Sequence, residues 1–100
     1  MKKIVLLCSA GASTGVVVKR MIDYANRSNY DCDISAHSIS DAKAVAQDAD
    51  CILLGPQVRF ELDQIKRIFP DKPVEVINMA DYGRMNGENV LKRAKVLMGE

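Results

Sequence analysis

A cysteine followed by seven small residues is the part of this sequence best suited to chemistry. Cys8 stands directly after the apolar run Ile4 to Leu7. The seven residues that follow it are Ser9, Ala10, Gly11, Ala12, Ser13, Thr14 and Gly15. Small residues let the backbone curl closely around an anion, and a helix that begins there adds unpaired N–H groups and partial positive charge. The segment therefore predicts an N–H cradle for a phosphate-like group beside a nucleophilic sulfur.

The same residues also fit a purely structural interpretation. A cysteine at the end of a strand is often a small buried apolar residue. Glycine, serine and threonine are ordinary turn residues, and Ser13 or Thr14 could cap the helix that follows. The segment has neither the glycine spacing of a dinucleotide fingerprint nor the Gly-Lys-Ser/Thr of a nucleotide P-loop, so nucleotide binding is not expected.

Strand and helix patterns alternate along the chain. The runs Ile4 to Leu7 and Cys51 to Leu54 are wholly apolar, which is typical of central parallel strands covered on both faces. Two further strands, predicted over 32–37 and 74–77, carry polar residues, which favours the edges of a sheet. Apolar residues recur at helical spacing after each strand, at Val17, Met21 and Ala25, at Ala42, Val45, Ala46 and Ala49, at Val58, Leu62, Ile65 and Phe69, and at Val90, Leu91, Ala94, Leu97 and Met98. The segment ADYGRMNG, residues 80–87, is predicted to be a loop.

This alternation predicts an α/β fold in which residues 1–100 form a single domain. We expect one four-stranded parallel sheet in the order 2-1-3-4, flavodoxin-like, with helices on both faces and right-handed crossovers. Ligands of such sheets bind at the carboxyl ends of the strands, where the strand order reverses. That point lies between strands one and three, so Cys8 and the segment Gly55 to Gln57 should face one crevice.

Other side chains have both a functional and a structural interpretation. Gln57 could donate an amide hydrogen bond to a bound phosphoryl group, although a solvated loop residue is the more common case. Tyr82 could line the crevice or simply pack. His37 is expected on the polar face of an edge strand, as a surface histidine. Cys32 and Cys51 are expected to pack in the core.

Composition excludes several classes of function. The formal charge is +1 and there is no basic block; with only three tyrosines, two phenylalanines and no tryptophan, nucleic-acid binding is not expected. The first apolar run is shorter than a secretory signal, and no stretch approaches the length of a membrane span, so a cytoplasmic protein without membrane insertion is expected. Three widely spaced cysteines and one histidine predict no metal site, and no cofactor is expected.

The loop after the first strand resembles the phosphate loop of low-molecular-weight protein tyrosine phosphatases. Those enzymes carry C-x-x-x-x-x-R, whose arginine binds phosphate through its planar fork. Here the arginine position is occupied by Thr14, and the first arginine after Cys8 is Arg20. Asp81 would be the leaving-group acid in such an enzyme. Without the arginine, a phosphatase is the alternative hypothesis and not the preferred one.

Nearly the whole chain resembles the enzyme IIB component of the bacterial phosphoenolpyruvate-dependent sugar phosphotransferase system, in the lactose/cellobiose/chitobiose family. The resemblance rests on CSAG-ST after the first strand, LLGPQ after the third, and KPVEVI with a later YG. It implies a phosphotransferase that carries phosphocysteine at Cys8. A phosphohistidine on enzyme IIA would donate the phosphoryl group. Cys8 would then pass it to a sugar held by the membrane component enzyme IIC, a β-linked disaccharide such as cellobiose, chitobiose or lactose.

The same resemblance predicts how the protein meets its partners. It would associate peripherally with the membrane through enzyme IIC, and a carrier that docks two partners in turn has no need to be more than a monomer. Topology places Ala12, Val16, Val58 and Tyr82 on the rim beside Cys8. Ala12 and Gly15 depart from the commonest family form, which has a larger apolar residue and a serine there. The missing arginine at Thr14 should slow loss of the phosphoryl group to water, as a relay requires.

Overall fold

Four parallel strands form a single sheet in this computed structural model, which describes residues 1–9 and 14–100. The strands are β1 (Lys2–Cys8), β2 (Cys32–Ser38), β3 (Cys51–Leu54) and β4 (Val74–Val76). Their order is β2-β1-β3-β4, and each neighbouring pair is parallel. The predicted α/β fold and strand order are therefore confirmed. The predictions for Ala10, Gly11, Ala12 and Ser13 lie outside the described residues.

The described part of the chain contains five α-helices and two short 3-10 helices, which connect the strands or follow the last one. The α-helices are α1 (Thr14–Arg27), α2 (Ala42–Val45), α3 (Leu62–Ile68), α4 (Met79–Gly83) and α5 (Gly87–Leu97). The 3-10 helices, Ile39–Asp41 and Pro56–Glu61, precede α2 and α3. No helix in the described part of the chain is both long enough and apolar enough to cross a membrane.

The alternation of side chains along the central strands explains why helices cover both faces. Ile4 and Leu6 belong to one apolar cluster, which includes Met21 of α1 and Leu91 of α5. Val5 and Leu7, which alternate with them along β1, belong to a second cluster on the other face, with Ile65 of α3 and Phe69. Because successive residues of a strand point to opposite faces, a wholly apolar run must be covered twice.

The predicted loop after the fourth strand is wrong in detail. The segment 80–87 is not simply a loop, because α4 begins at Met79 and includes Tyr82. Its start is stabilised by Asn78, whose side-chain oxygen accepts hydrogen bonds from the backbone N–H groups of Ala80 and Asp81 at 2.9 and 3.1 Å. A five-residue helix spans little more than one turn, so it leaves no apolar periodicity in the sequence.

The second and third predicted helices are shorter than their apolar stripes suggest. α2 ends at Val45, although Ala46 and Ala49 remain buried beyond it. The backbone N–H of Asp50 donates to the carbonyl of Lys3 at 2.7 Å, which draws the chain into β3 before the helix can continue. Before α3, the backbone is a 3-10 helix with a kink at Val58.

Helices α1 and α5 pack closely together at Gly87. A Cβ atom placed there would lie 2.4 Å from the carbonyl carbon of Arg20 and 2.4 Å from the backbone nitrogen of Met21. Both contacts are with backbone, which cannot rotate aside as a side chain can. The spacing of the two helices on this face of the sheet therefore depends on a residue without a side chain.

Candidate functional site

The register of the sheet brings the carboxyl ends of its strands to one edge. Cys8 is aligned with Ser38 at the end of β2, and Leu54 at the end of β3 is aligned with Val76 at the end of β4. The sulfur of Cys8 lies 4.0 Å from the carbonyl oxygen of His37, a long contact for a thiol donor, and the residue is 7% exposed. The nucleophile predicted from the sequence thus sits at the expected edge, close beneath the surface.

Gly55 lets the end of β3 approach Cys8 closely. Its N–H donates to the carbonyl of Leu7 at 2.8 Å. A Cβ atom at Gly55 would lie 3.3 Å from the Cβ of Cys8 and 2.8 Å from Oε1 of Gln57. The structure therefore confirms that Cys8 and the Gly55 to Gln57 segment meet, and it shows that the absence of a side chain at position 55 makes room for both.

The hydroxyl of Tyr82 joins two other segments at this edge. Nε2 of Gln57 donates to it at 3.0 Å, and Oγ1 of Thr14 lies 3.3 Å from it. Thr14 is 1% exposed and Tyr82 9% exposed. Sequence reasoning placed Tyr82 as a residue that could line the crevice or pack, and also on the rim beside Cys8; because Tyr82 is buried, the rim prediction is wrong for it. The signal for its position is Asn78, a helix-capping residue four positions earlier, but nothing in the sequence indicates its partners.

The remainder of the predicted phosphate cradle is described only at its two ends. Ser9 is exposed after β1, while Thr14 and Gly15 are the first two residues of α1. The N–H groups in the first turn of a helix have no partner inside the helix, and α1, with 14 residues, carries the positive end of its dipole there. The hydroxyl of Thr14 lies 3.3 Å from that of Tyr82.

Several other predicted residues take structural roles or lie elsewhere. His37 is half-buried, and its Nε2 is 3.0 Å from the hydroxyl of Ser35. The carboxylate of Asp81 accepts a hydrogen bond from Nδ2 of Asn89 at 3.1 Å. Val58 is 3% exposed, so the prediction that it lies on the rim is wrong.

The two remaining cysteines are poor nucleophiles. Burial raises the pKa of the Cys51 thiol to about 12, with smaller contributions from Glu75 and Asp50. Cys32 is half-buried, and its pKa is also raised, chiefly by burial and then by the charges of Asp31 and Asp33. Both thiols therefore stay protonated near neutral pH.

Within residues 1–9 and 14–100, no group of three or more histidine, cysteine or acidic side chains is placed to bind a metal.

Comparison with known sequences adds an independent line of evidence. Residues 3–93 match the family model described as the lactose/cellobiose-specific IIB subunit of the phosphotransferase system (PTS). The oligo-beta-mannoside-specific EIIB component of Bacillus subtilis is 36% identical, over 98% of this chain and 97% of its own. The galactose-specific EIIB component of Lactococcus lactis subsp. cremoris is 38% identical, over 97% of this chain and 96% of its own.

Comparison with solved structures agrees. The cellobiose-specific IIB component of Borrelia burgdorferi superposes with a TM-score of 0.82 at 37% identity, covering 98% of this chain and 92% of that one. The lactose-specific IIB domain of Streptococcus pneumoniae gives a TM-score of 0.85 at 15% identity, with 96% of each chain covered, and this supports the fold alone. None of these similarities supports the phosphatase hypothesis.

Proposed function

The chain belongs to the IIB subunit family of lactose/cellobiose-specific phosphotransferase systems and is a phosphotransferase, and from this premise we propose that Cys8 carries the phosphoryl group. The observation that carries the proposal is the position of Cys8. Cys8 is the last residue of the central strand β1, at the edge of the sheet where the strand order reverses. Helix α1 begins a few residues later.

Transfer takes place in two displacements at phosphorus. The sulfur of Cys8, as a thiolate, attacks the phosphorus of a phosphohistidine on enzyme IIA; the S–P bond forms, the N–P bond breaks, and the imidazole keeps the electron pair. A sugar hydroxyl then attacks the same phosphorus; the O–P bond forms, the S–P bond breaks with its electron pair on sulfur, which regenerates the thiolate, and the hydroxyl proton passes to water. The backbone N–H groups of the segment from Ser9 to Gly15 would bind the phosphoryl oxygens in both steps.

The surroundings of the site favour keeping the phosphoryl group over hydrolysing it. Thr14 occupies the position of the phosphatase arginine, and its hydroxyl is engaged with Tyr82. Arg20 is the first arginine after Cys8, and its guanidinium donates to the carbonyl of Met85 at 3.4 Å. With no guanidinium at position 14, attack by water on phosphocysteine lacks the charge stabilisation that a phosphatase supplies.

Mass spectrometry tests this proposal directly. When the wild-type chain is supplied with phosphoenolpyruvate and the upstream relay, including enzyme IIA, we expect one phosphoryl group per chain, located on the peptide that contains Cys8. A phosphoryl group found on His37 would refute the assignment. Rapid release of phosphate from an aryl phosphate in the absence of the relay would instead support the phosphatase hypothesis.

Exposed apolar side chains at the same edge provide a docking surface for enzyme IIA. Val16, Phe60 and Met79 are 41%, 77% and 64% exposed. They lie in the helical segments that follow β1, β3 and β4 respectively. A donor that brings phosphohistidine to the nearly buried sulfur of Cys8 must cover this edge. Large exposed apolar residues are the ones that such a contact would bury.

Replacing Phe60 with serine should weaken the interaction with enzyme IIA. We expect the KM for phosphorylated enzyme IIA to rise about tenfold while the maximal rate changes little, because the lost apolar anchor takes no part in the chemistry. Initial rates of phosphorylation at increasing enzyme IIA concentrations measure both quantities. Val96→Ser is the matched control, since Val96 is 59% exposed near the end of α5, away from the edge that holds Cys8. Equal KM values for the two variants would exclude Phe60 from the docking surface.

We place the chain, on the same premise, in the cytoplasm as a monomer of one domain that meets the membrane only through enzyme IIC. Two arguments support this: both apolar clusters pack against the same sheet, and a carrier that meets two partners in turn needs Cys8 uncovered between them. The sugar we propose is a β-linked disaccharide, because the IIB component of Borrelia burgdorferi, 37% identical to this chain, carries the name cellobiose-specific. Native mass spectrometry tests the monomer, and sugar phosphorylation with the cognate enzyme IIC tests the substrate.

A further inference from the structure

One phenol oxygen connects three segments that follow three different strands. Thr14 comes after β1, Gln57 after β3, and Tyr82 after β4. The hydroxyl of Tyr82 accepts a hydrogen bond from Nε2 of Gln57 at 3.0 Å and lies 3.3 Å from Oγ1 of Thr14. These two contacts span 25 and 68 positions of sequence. They join the carboxyl ends of β1, β3 and β4 through side chains, independently of the backbone ladder.

This connection extends to Cys8 through Gln57. Oε1 of Gln57 and Cβ of Cys8 both lie within 3.3 Å of the position that a Cβ would occupy at Gly55. The Gln57 amide and Cys8 therefore flank the space that the missing side chain of Gly55 leaves open. Because Nε2 donates one hydrogen to Tyr82, the orientation of the amide is set, and the amide keeps its second N–H as a donor.

Burial shows that Tyr82 acts within the fold and not on a partner. Tyr82 is 9% exposed and Thr14 1%, whereas Gln57 is exposed. A docking protein would reach Gln57 but not the phenol hydroxyl beneath it. The position of Tyr82 is itself held by α4, whose first turn is capped by Asn78. Buried hydroxyl groups that satisfy one another in this way rigidify their surroundings.

We propose that Tyr82 is a positioning residue for phosphoryl transfer, an inference that rests on the proposed role of Cys8. Its hydroxyl holds the amide of Gln57 and the first residue of α1 in fixed positions relative to the sulfur. Both are groups that would surround the phosphoryl oxygens, so removing the hydroxyl loosens the site without touching the nucleophile.

Tyr82→Phe tests this inference through rates of phosphorylation by enzyme IIA. We expect the maximal rate to fall about tenfold, because the hydrogen bond that orients the Gln57 amide is lost, while the KM for enzyme IIA stays at the wild-type value. The final stoichiometry should still reach one phosphoryl group per chain, because an unfolded fraction would lower this end point and a slower reaction does not. Tyr30→Phe is the matched control: it also removes a phenol that donates to a side chain, here Oε2 of Glu100 at 2.8 Å.

Gln57→Leu keeps the test decisive even if Tyr82→Phe folds poorly, because Gln57 is exposed. It should lower the maximal rate severalfold, and the double variant should lose less than the product of the two single losses, since Gln57 and Tyr82 share a hydrogen bond. A wild-type rate in Gln57→Leu, or independent effects in the double variant, overturns the inference alone. Absence of label on Cys8 of the wild-type chain overturns the proposed function and this inference together.

Discussion

Cys8→Ser is expected to lose phosphoryl transfer to sugar by a factor of at least about 1,000, and to accumulate no phosphoryl group. A serine hydroxyl ionises far less readily than a thiol, so at neutral pH it offers almost no anionic nucleophile to the phosphohistidine. The substitution replaces one small atom at a residue that is 7% exposed, so the fold should survive. The measurement is the initial rate of sugar phosphorylation with the complete relay, together with the intact mass of the variant after incubation.

Cys32→Ser is the matched control for this experiment. Cys32 begins β2 and is aligned with Lys2, at the edge of the sheet opposite to Cys8. It is half-buried, and its raised pKa keeps the thiol protonated near neutral pH. We expect wild-type transfer from this variant. Full phosphorylation of Cys8→Ser, or a loss of transfer in Cys32→Ser alone, would mean that Cys8 is not the acceptor.

Gly87→Ala is expected to lower the free energy of unfolding by about 3 kcal/mol. The added methyl group would lie 2.4 Å from the backbone of Arg20 and Met21, so α5 must move away from α1. That movement loosens the cluster in which Leu91 packs against Met21. For a chain of 100 residues, a loss of this size lowers the melting temperature by about 15 °C. Urea denaturation followed by circular dichroism measures the change in the free energy of unfolding.

Gly83→Ala provides the control for the stability experiment. Gly83 is the last residue of α4, and a Cβ placed there would meet no other atom within 4 Å. This variant should differ from the wild type by less than about 0.5 kcal/mol, because the methyl group has room. If the two alanine variants were equally stable, the close packing of α1 against α5 would be disproved.

The strand order followed from local features of the sequence. Ile4 to Leu7 and Cys51 to Leu54 have no polar residue, and such a strand is stable only between two other strands and two layers of helices. The helix α4 was missed because it has five residues and depends on Asn78 and on burial of Tyr82. The end of α2 at Val45 was missed because a hydrogen bond from Asp50 to distant Lys3 decides where the chain leaves the helix.

The location of the candidate site also followed from the sequence, but its composition did not. Cys8 and the segment Gly55 to Gln57 meet wherever strands one and three are neighbours, so topology was sufficient. Topology could not assign burial around them: Val58 was expected on the rim and is buried, whereas Phe60 is the most exposed apolar residue after β3. Both residues belong to the 3-10 helix Pro56–Glu61, and the kink in its backbone at Val58 decides which of the two side chains faces solvent.

The amino-acid sequence by itself therefore determined the fold, the residue able to act as nucleophile, and the edge of the sheet at which it lies. These depend on the period of apolar residues and on chain connectivity, which act locally. Only the tertiary structure decided that Tyr82 bonds Gln57 and lies beside Thr14, and that Gly87 sets the distance between two helices. Those contacts join residues far apart along the chain, and they form only when the sheet and its helices have brought atoms within about 3 Å of one another.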